Sequence, residues 1–444
     1  MLVMTDTSVV AGPAGSPVAN EGEATPSSGF FASDLFALHG QSTFVFQGHD
    51  GFHAPYGGAQ SLQHDASGDE TWDLTLFDGV HPWSGGEIWL NEEIDQGFGI
   101  GNTLGLAGFS SGEAYKVGRA DPYFRLQRAF VRQTVNLGGA PDTQLPDLNQ
   151  FGLKRSSDRL VLTAGKFAVT DIFDANRYAH DPRQDFLNWT LIDTGTFDYA
   201  ADSWGYSVGA AGEWYTGRWT MRAGTFLMSN VPNSPDIDTS FHQFQTDGEI
   251  EERHSLFGQP GKFLLTAFLT HARMARFADA VTLADRTGQP ADGAAVRRIG
   301  NRPGVSLSLE QQITPDIGAF ARAGWADGKF ETYEFTDVDR TLAAGISIGG
   351  RAWRRANDTI GLGGVINVAS RGRIAYLGAG GLGLLVGDGR LPNPGGEHIV
   401  ETYYDADVFG PLHTALDYQW VGNPAYNRDR GPVSIAAIRL HLQM

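Results

Sequence analysis

Short segments in which apolar and polar residues alternate run from Leu35 to the end of the chain, separated by Gly, Pro, Asn and Asp. A period of two places successive side chains on opposite faces of a β-strand. Trp219–Leu227 alternates in this way, as do Ile317–Trp325, Ile360–Val368 and Ala436–Met444. The pattern therefore predicts an all-β fold built from many antiparallel strands.

Each of these segments has one apolar face and one face of polar or small residues. In the last segment Ile438 and Leu440 share the apolar face, whereas Arg439 and His441 share the polar face. Crossing the hydrocarbon layer takes about 9–11 tilted residues, which these faces provide. About sixteen such segments occur, an even number typical of bacterial barrels.

The connections between the segments alternate between short turns and long loops. Tyr215–Gly217, Thr314–Asp316 and Phe409–Pro411 are short, whereas Ala275–Asn301 and Arg371–Gly396 are long. Outer-membrane barrels have short periplasmic turns and longer external loops. Aromatic residues near segment ends suit the girdles at the two membrane interfaces: Trp214, Tyr215, Trp219, Trp325 and Trp353.

No run of about 20 apolar residues is present, so a transmembrane helix is excluded. A membrane protein without such helices must be a closed barrel, because lipid offers the backbone no hydrogen-bond partner. We therefore predict an antiparallel transmembrane β-barrel of about 16 strands over residues 34–444, preceded by a flexible segment at residues 1–33.

The first 30 residues have no basic stretch and little apolar character, unlike a signal peptide. Two interpretations follow. Either the sequence starts downstream of the true start, or the chain is not exported.

Composition narrows the function classes. The formal net charge is -18, which argues against nucleic acid as a partner, and Cys is absent, which excludes thiolate chemistry. Residues 1–115 contain 15 Asp and Glu but no Lys or Arg, so all the basic residues lie from Lys116 onward. This asymmetry is consistent with a cavity whose acidic wall faces a basic one.

Two motifs match sequence patterns of catalytic or cofactor sites but lack the neighbouring secondary structure that those sites need. Gly378–Gly383 fits a dinucleotide fingerprint, but Gly387 and Pro392 exclude the helix that must follow. Gly108–Gly112 fits a hydrolase elbow, but a Gly-rich stretch precedes it, and a short capped helix is predicted from about Ser111 instead. The His residues show no metal-binding spacing. No cofactor, metal site or catalytic residue is predicted.

Blocks of sequence distributed from about residue 75 to the end carry a family resemblance. They are Glu87–Gly99, Ser111–Gly118, Leu162–Phe167, Asp171–Asn176, Tyr178–Arg183, Asp198–Asp202, Gly205–Tyr206, Glu401–Tyr404, Asp417–Gln419, Asn423–Pro432 and Arg439–His441. Together they resemble the carbohydrate-selective porin (OprB) family.

The resemblance implies a porin of the Gram-negative outer membrane with about sixteen strands and a narrowed, sugar-selective pore. It implies facilitated diffusion of glucose-like monosaccharides, with carbohydrates and outer-membrane lipid as partners, in a monomer or a trimer. The family typically ends in Phe, which the assembly machinery reads, whereas this chain ends in Met444. Met444 is expected either to lower assembly efficiency or to substitute as an apolar end.

Polar faces supply the candidate pore-lining residues. Arg offers a planar fork of donors, and carboxylates accept hydrogen bonds from sugar hydroxyls. The candidates are Asn91, Glu93, Arg128, Lys166, Arg222, Arg322, Glu401 and Arg439.

Two alternatives to a sugar-selective pore stay open. The first is a general or anion-selective porin on the same barrel, which the basic residues beyond Lys116 favour. The second is a barrel-embedded enzyme or a soluble all-β adhesin, which fits the missing signal peptide better.

Overall fold

The computed structural model describes residues 31–444, which form seventeen β-strands. The strands are β1 (Phe31–Ala32), β2 (Phe36–His49), β3 (Ser67–Trp83), β4 (Gly86–Gly97), β5 (Arg119–Gln144), β6 (Leu153–Phe167), β7 (Ser207–Thr216), β8 (Trp219–Leu227), β9 (Phe244–Leu256), β10 (Gln259–Met274), β11 (Arg298–Thr314), β12 (Ile317–Ala326), β13 (Arg340–Gly349), β14 (Thr359–Val368), β15 (Glu397–Phe409), β16 (Leu412–Gly422) and β17 (Val433–Gln443).

Strands β2 to β17 close into one barrel. Each strand pairs antiparallel with the next, and β17 returns to pair with β2, where Arg439 lies opposite Val45. The sixteen-stranded closed barrel that the sequence predicts is confirmed within the described residues. The short β1 pairs with the start of β2. The predicted flexible segment, residues 1–33, lies outside the described residues except for its last three positions, and it stays a prediction.

The apolar face of each strand points outward, as predicted. In β8 the side chains of Trp219 and Met221 are exposed, while Thr220 and Arg222 are buried. The exposed fraction reaches 63% at Leu416 in β16, against 1% at the inward-facing Arg439. This arrangement suits a lipid solvent outside, because a large apolar surface is stable there and backbone groups pair within the wall.

Connection lengths alternate around the described barrel, which confirms the second predicted pattern. One end carries the connections 84–85, 145–152, 217–218, 257–258, 315–316, 350–358 and 410–411. The other end carries 50–66, 98–118, 168–206, 228–243, 275–297, 327–339, 369–396 and 423–432. The first end is accordingly periplasmic and the second extracellular.

Three α-helices lie in the long connections: α1 (Trp189–Ile192), α2 (Phe277–Thr287) and α3 (Arg371–Gly378). Helix α2 ends at Thr287 and is capped by Gly288, whose φ of 66° is the left-handed conformation that glycine adopts without strain. Helix α3 ends at Gly378 and so precedes the glycine motif, whereas a dinucleotide site needs the helix after it.

The prediction of a short helix from about Ser111 is wrong, because residues 111–117 form turns. Among the helices of residues 31–444, none is both long and apolar enough to cross a bilayer.

Aromatic residues at the outward ends of strands fit the predicted girdles in part. Trp214, Trp219 and Trp325 are 46%, 37% and 44% exposed on the outer surface. Tyr215 instead faces the interior, where its hydroxyl donates to Glu213 at 2.8 Å. It follows Trp214 on the same strand, and adjacent residues of a strand point to opposite sides.

Much of the interior is filled by the long connections themselves. Phe173, Phe186, Phe197 and Leu191, all from residues 168–206, are completely buried inside the barrel. An apolar core therefore lies within the lumen, which is narrower than the strand count alone indicates.

A charge on the outer wall should destabilise the barrel according to its depth. Leu416 occupies the middle of β16 and Leu412 its periplasmic end. We expect Leu416→Arg to reduce the free energy of unfolding by about 2–4 kcal/mol and Leu412→Arg by about 0–1 kcal/mol, since hydrocarbon solvates a guanidinium poorly only near the midplane. Urea titration in phospholipid vesicles measures both. Equal effects at the two sites would contradict the assigned outer face.

Candidate functional site in the barrel lumen

The connection between β6 and β7, residues 168–206, is here called the lumen segment. It reaches wall strands far apart in the barrel. The Asp174 amide donates to Glu249 of β9 at 2.8 Å, and the Asn176 side chain donates to Ser308 of β11 at 3.2 Å. Across the lumen, Asn367 of β14 donates to Thr190 at 3.1 Å. The lumen segment therefore crosses the interior of the barrel.

Glu401, a predicted pore residue, holds the lumen segment in place. Its carboxylate accepts hydrogen bonds from the backbone N–H groups of Leu187, at 2.5 Å, and Asn188, at 3.0 Å. Glu397 lies four residues earlier on the same inward face of β15. Its carboxylate accepts a hydrogen bond from the Gly108 N–H group at 2.7 Å and so holds connection 98–118 in place. Charged acceptors make strong hydrogen bonds to backbone donors.

Arg322 and Arg439, also predicted pore residues, hold the lumen segment from other sides. Arg439 donates to the backbone oxygens of Pro182 at 2.6 Å and Asp185 at 2.8 Å. Arg322 donates to the backbone oxygen of Asp174 at 3.2 Å and also to that of Leu191. Both guanidinium groups are buried, so they act on the backbone of the lumen segment.

Four carboxylates from the acidic first part of the chain lie together and are here called the acidic cluster: Asp73 of β3, Glu93 and Asp95 of β4, and Glu113 of connection 98–118. Glu93 accepts from Thr75 at 2.7 Å and from Gln127 at 3.0 Å. The inward alternation of β3 and β4 places Asp73, Glu93 and Asp95 on one side of the lumen, where Glu113 joins them.

Arg183 of the lumen segment faces the acidic cluster. Its guanidinium lies 3.3 Å from Glu113 and 3.7 Å from Asp73. Burial raises the pKa of Glu113, and the neighbouring Arg183 opposes this rise. The mutual attraction offsets part of the cost of taking these charges out of water.

Arg125, Arg128 and Lys166 form a second group, here called the basic cluster. Arg128 makes a bidentate ion pair with Asp171 of the lumen segment, at 2.8 and 2.7 Å. Arg125 and Lys166 both lie 3.3 Å from the carboxylate of Asp202. Each cation of the basic cluster is therefore paired with a carboxylate of the lumen segment.

Two aromatic side chains of the lumen segment lie over the basic cluster. The Arg125 guanidinium is 3.4 Å from the centre of the Trp204 ring, and that of Arg128 is 4.9 Å from the Tyr206 ring. Such cation–π contacts fix the planar guanidinium groups. The cluster thus combines hydrogen-bond donors with aromatic rings.

Irregular positions in the wall produce part of the basic cluster. A bulge in β5 shifts the register between Asn91 and Glu92, which lets Gln127 and Arg128 both reach the interior. Lys166 pairs with Val208, whose side chain faces outward, yet the Lys166 ammonium group reaches Asp202. Simple alternation does not predict either arrangement.

Arg222 of β8 lies in a separate ion-pair network. Its guanidinium contacts Glu249 at 2.7 Å and Glu213 and Glu251 at 2.9 Å each. The fork geometry of Arg allows three such contacts at once. Arg222 therefore braces β7, β8 and β9 against one another.

Asn91 faces the interior from the middle of β4. Its amide exchanges hydrogen bonds of 2.8 and 3.0 Å with Asn149, which belongs to connection 145–152. Asn91 is thus engaged with a periplasmic connection.

Of the eight predicted residues, the structure brings three together, since Glu93 lies within electrostatic range of Arg128 and Lys166. The sequence reasoning missed the lumen segment's contribution, namely Asp171, Arg183, Asp202 and Tyr206. All four fall inside the blocks that carry the family resemblance, so that signal was present in the sequence.

Comparisons with known proteins agree with this architecture. A family model described as carbohydrate-selective porin, OprB family, matches residues 59–444. The structure of OprB from Pseudomonas putida is similar, with 14% identity and a TM-score of 0.68 over 92% of this chain and 94% of that one. The outer membrane channel DcaP of Acinetobacter baumannii aligns with 10% identity and a TM-score of 0.51, over 94% of this chain and 99% of that one.

At such identities the two structures show a shared fold, and no curated protein matches the sequence. The family model, however, extends over most of the chain. The protein therefore belongs to the carbohydrate-selective porin (OprB) family of outer-membrane channels, which are not enzymes.

Proposed function

We propose that this porin passes small, neutral, glucose-like carbohydrates by facilitated diffusion through a polar constriction lined by the acidic and basic clusters. The observation that carries the proposal is the close approach of acidic and basic side chains. The carboxylates of β3 and β4 lie next to the basic cluster of β5 and β6, since Glu93 is opposite Arg125 in the β4–β5 pairing, and Arg183 of the lumen segment faces these carboxylates. The early acidic and later basic parts of the chain thus meet in the lumen.

A sugar hydroxyl both donates and accepts hydrogen bonds, so it suits a surface that offers both partners at close range. Arg128 supplies a planar donor fork, while Asp171 and Glu93 supply acceptors. Tyr206 and Trp204 add aromatic surface for the apolar face of a sugar ring. Several weak, exchangeable contacts of this kind favour passage, since binding must also permit release.

The pairing of charges favours neutral solutes over ions. Each cation of the basic cluster already has a carboxylate partner within 3.3 Å, so an incoming anion must compete with a fixed charge. At the basic cluster an incoming cation is repelled by the guanidinium and ammonium groups. A neutral, dipolar solute can instead hydrogen-bond to both without breaking the pairs.

The other predicted residues have supporting roles in this proposal. Glu401, Arg322 and Arg439 are positioning residues, because their polar groups bind the backbone of the lumen segment. Arg222 braces the wall, and Asn91 holds a periplasmic connection. Glu93, Arg128 and Lys166 are left as the residues that contact sugar.

An anion-selective pore on the same barrel is the alternative, since three cations lie close together in the basic cluster. Asp171 and Asp202 neutralise much of that charge, which favours the neutral substrate. Reversal potentials under a salt gradient separate the two. A strong preference for chloride would support the anion pore.

The sugar proposal predicts that glucose reduces single-channel conductance in planar bilayers in a saturable way. Replacing the central ion pair without changing net charge, by Arg128→Met with Asp171→Leu, should weaken the glucose affinity about tenfold, because hydrogen bonds to charged groups are lost. The matched control is Arg351→Met with Asp316→Leu, an exposed pair at a periplasmic turn. It should behave like the wild type.

Wild-type current that ignores glucose over the whole titration would reject sugar selectivity. Equal loss of affinity in both double variants would reject the assigned constriction while leaving sugar passage intact.

The positioning role of Glu401 gives a separate prediction. Glu401→Ala leaves the N–H groups of Leu187 and Asn188 without an acceptor, so the lumen segment should loosen and single-channel conductance and current noise should rise. Glu401→Gln, which keeps one acceptor oxygen, should lie between. Thr402→Ala alters the neighbouring outward-facing residue and should leave the current unchanged. Single-channel currents of Glu401→Ala that match those of the wild type would contradict the positioning role of Glu401.

A further inference from the structure

A cavity of about 480 Å³ opens at the extracellular end of the barrel, apart from the acidic and basic clusters. Connections 228–243, 275–297, 327–339 and 369–396 converge on it, and Gln60 adds a contribution from a fifth connection. None of its lining residues belongs to either cluster. Its volume lies within the range of about 300–1,000 Å³ found for small-molecule sites.

Hydrogen bonds between the connections hold the cavity in shape. The Tyr376 hydroxyl accepts from the Gly293 amide at 3.3 Å and donates to the Leu382 backbone oxygen at 3.0 Å. The Tyr376 ring also lies 4.9 Å from that of Phe277. A cavity fixed in this way loses little conformational freedom when a ligand binds.

The charges that line the cavity are already paired. Arg297 forms a bidentate ion pair with Glu331, at 2.7 and 3.1 Å. Arg373 contacts Asp339 at 2.9 Å and also Asp337. Among the described lining residues no cation lacks a carboxylate partner, which disfavours phosphate or carboxylate ligands.

The accessible groups suit a neutral polyol. Arg297 is 24% exposed and Glu331 14% at the side chain, so a donor fork and an acceptor stand side by side at the surface. Leu382, 45% exposed, provides an apolar surface beside them. A sugar ring presents hydroxyls at its edge and C–H groups on its faces, and this combination matches both surfaces.

We infer that this cavity captures a neutral sugar at the extracellular mouth before the sugar enters the lumen. The inference rests on the proposed function, because it supplies a first binding site for the same substrate class. Capture at the mouth raises the local sugar concentration above the constriction and gives the channel a directional difference in entry rate.

The test measures glucose entry from each side of a planar bilayer. The variant Arg297→Met with Glu331→Gln removes the donor fork and the charge, while the amide oxygen that replaces the Glu331 carboxylate is expected to keep an acceptor for the Ala275 N–H group. Entry from the extracellular side should slow about fivefold to tenfold. Entry from the periplasmic side and the sugar-free conductance should stay at wild-type values.

The matched control is Arg298→Met with Asp279→Asn, the neighbouring ion pair of 2.6 Å, which lies outside the cavity lining. Unchanged extracellular entry in the cavity variant, with glucose still reducing the current, would overturn the capture site alone. A wild-type channel indifferent to glucose from both sides would overturn the proposed function instead.

A second measurement, which does not need a conducting channel, tests the cavity if the first variant fails to form channels. Leu382→Trp places a fluorescent side chain at the cavity, and its emission should change in a saturable way with glucose. Emission that does not respond to glucose would overturn capture at this site.

Independent contacts at the opposite end carry a second inference. Strands β5 and β6 extend beyond the strands that flank them, since the pairing of β4 with β5 stops at Gln133. Connection 145–152, which joins β5 to β6, folds back into the lumen. The Phe151 ring packs 5.0 Å from that of Trp89, and Arg132 donates to the Asn149 backbone oxygen at 2.8 Å. Together with the Asn91–Asn149 amide pair, these contacts fix connection 145–152 against the inner wall.

The geometry points to connection 145–152 as a partial cover of the periplasmic exit that sets the conductance. Asn149→Ala should release connection 145–152 from the inner wall and so raise the single-channel conductance. Asn136→Ala, on the same hairpin but exposed, is the matched control. In Asn91→Cys with Asn149→Cys, a short bifunctional thiosulfonate should restore wild-type conductance and a reductant should raise it again; the chain has no other Cys. Equal conductance in all states would overturn the cover.

Discussion

Backbone hydrogen bonding in a solvent without donors or acceptors is the constraint on which the structure depends. Hydrocarbon cannot satisfy an unpaired N–H or C=O group, so every strand of the wall needs a neighbour on both sides. The pairing of β17 with β2 supplies the last neighbour and removes the sheet edges. Once the wall is closed, the period of two sends apolar side chains to lipid and polar ones inward. The connections, free of this constraint, supply the lumen segment and the lining of the extracellular cavity.

The inward charges meet a second constraint, because the long connections occupy much of the lumen and bury these side chains. Buried charges are stable only when they are paired or hydrogen-bonded. Glu401 and Arg439 satisfy this condition by binding backbone groups of the lumen segment, and Arg128 satisfies it through Asp171. The same contacts therefore stabilise the lumen segment and determine the shape of the path that a solute can take.

The proposed substrate follows from the balance of these charges. A net-acidic chain with 51 carboxylates and 33 basic side chains would favour cations if its charges were spread evenly through the lumen. Instead, acidic and basic groups lie side by side in the acidic and basic clusters and are paired at the extracellular cavity. Both places offer hydrogen-bond donors and acceptors side by side, which is the basis for the proposed neutral, hydroxyl-rich substrate.

The sequence by itself determined the wall. Alternation in segments such as Trp219–Leu227 established strands and faces, and alternating connection lengths established the two ends, because both are local consequences of strand geometry. It also identified inward polar residues such as Glu401 and Arg439, but not what they bind. Only the tertiary structure decided that residues 168–206 fold into the lumen, that the bulge in β5 turns Arg128 inward, and that Asp73 meets Arg183. These contacts join residues distant in the chain, and their geometry depends on the closed barrel, which no local pattern encodes.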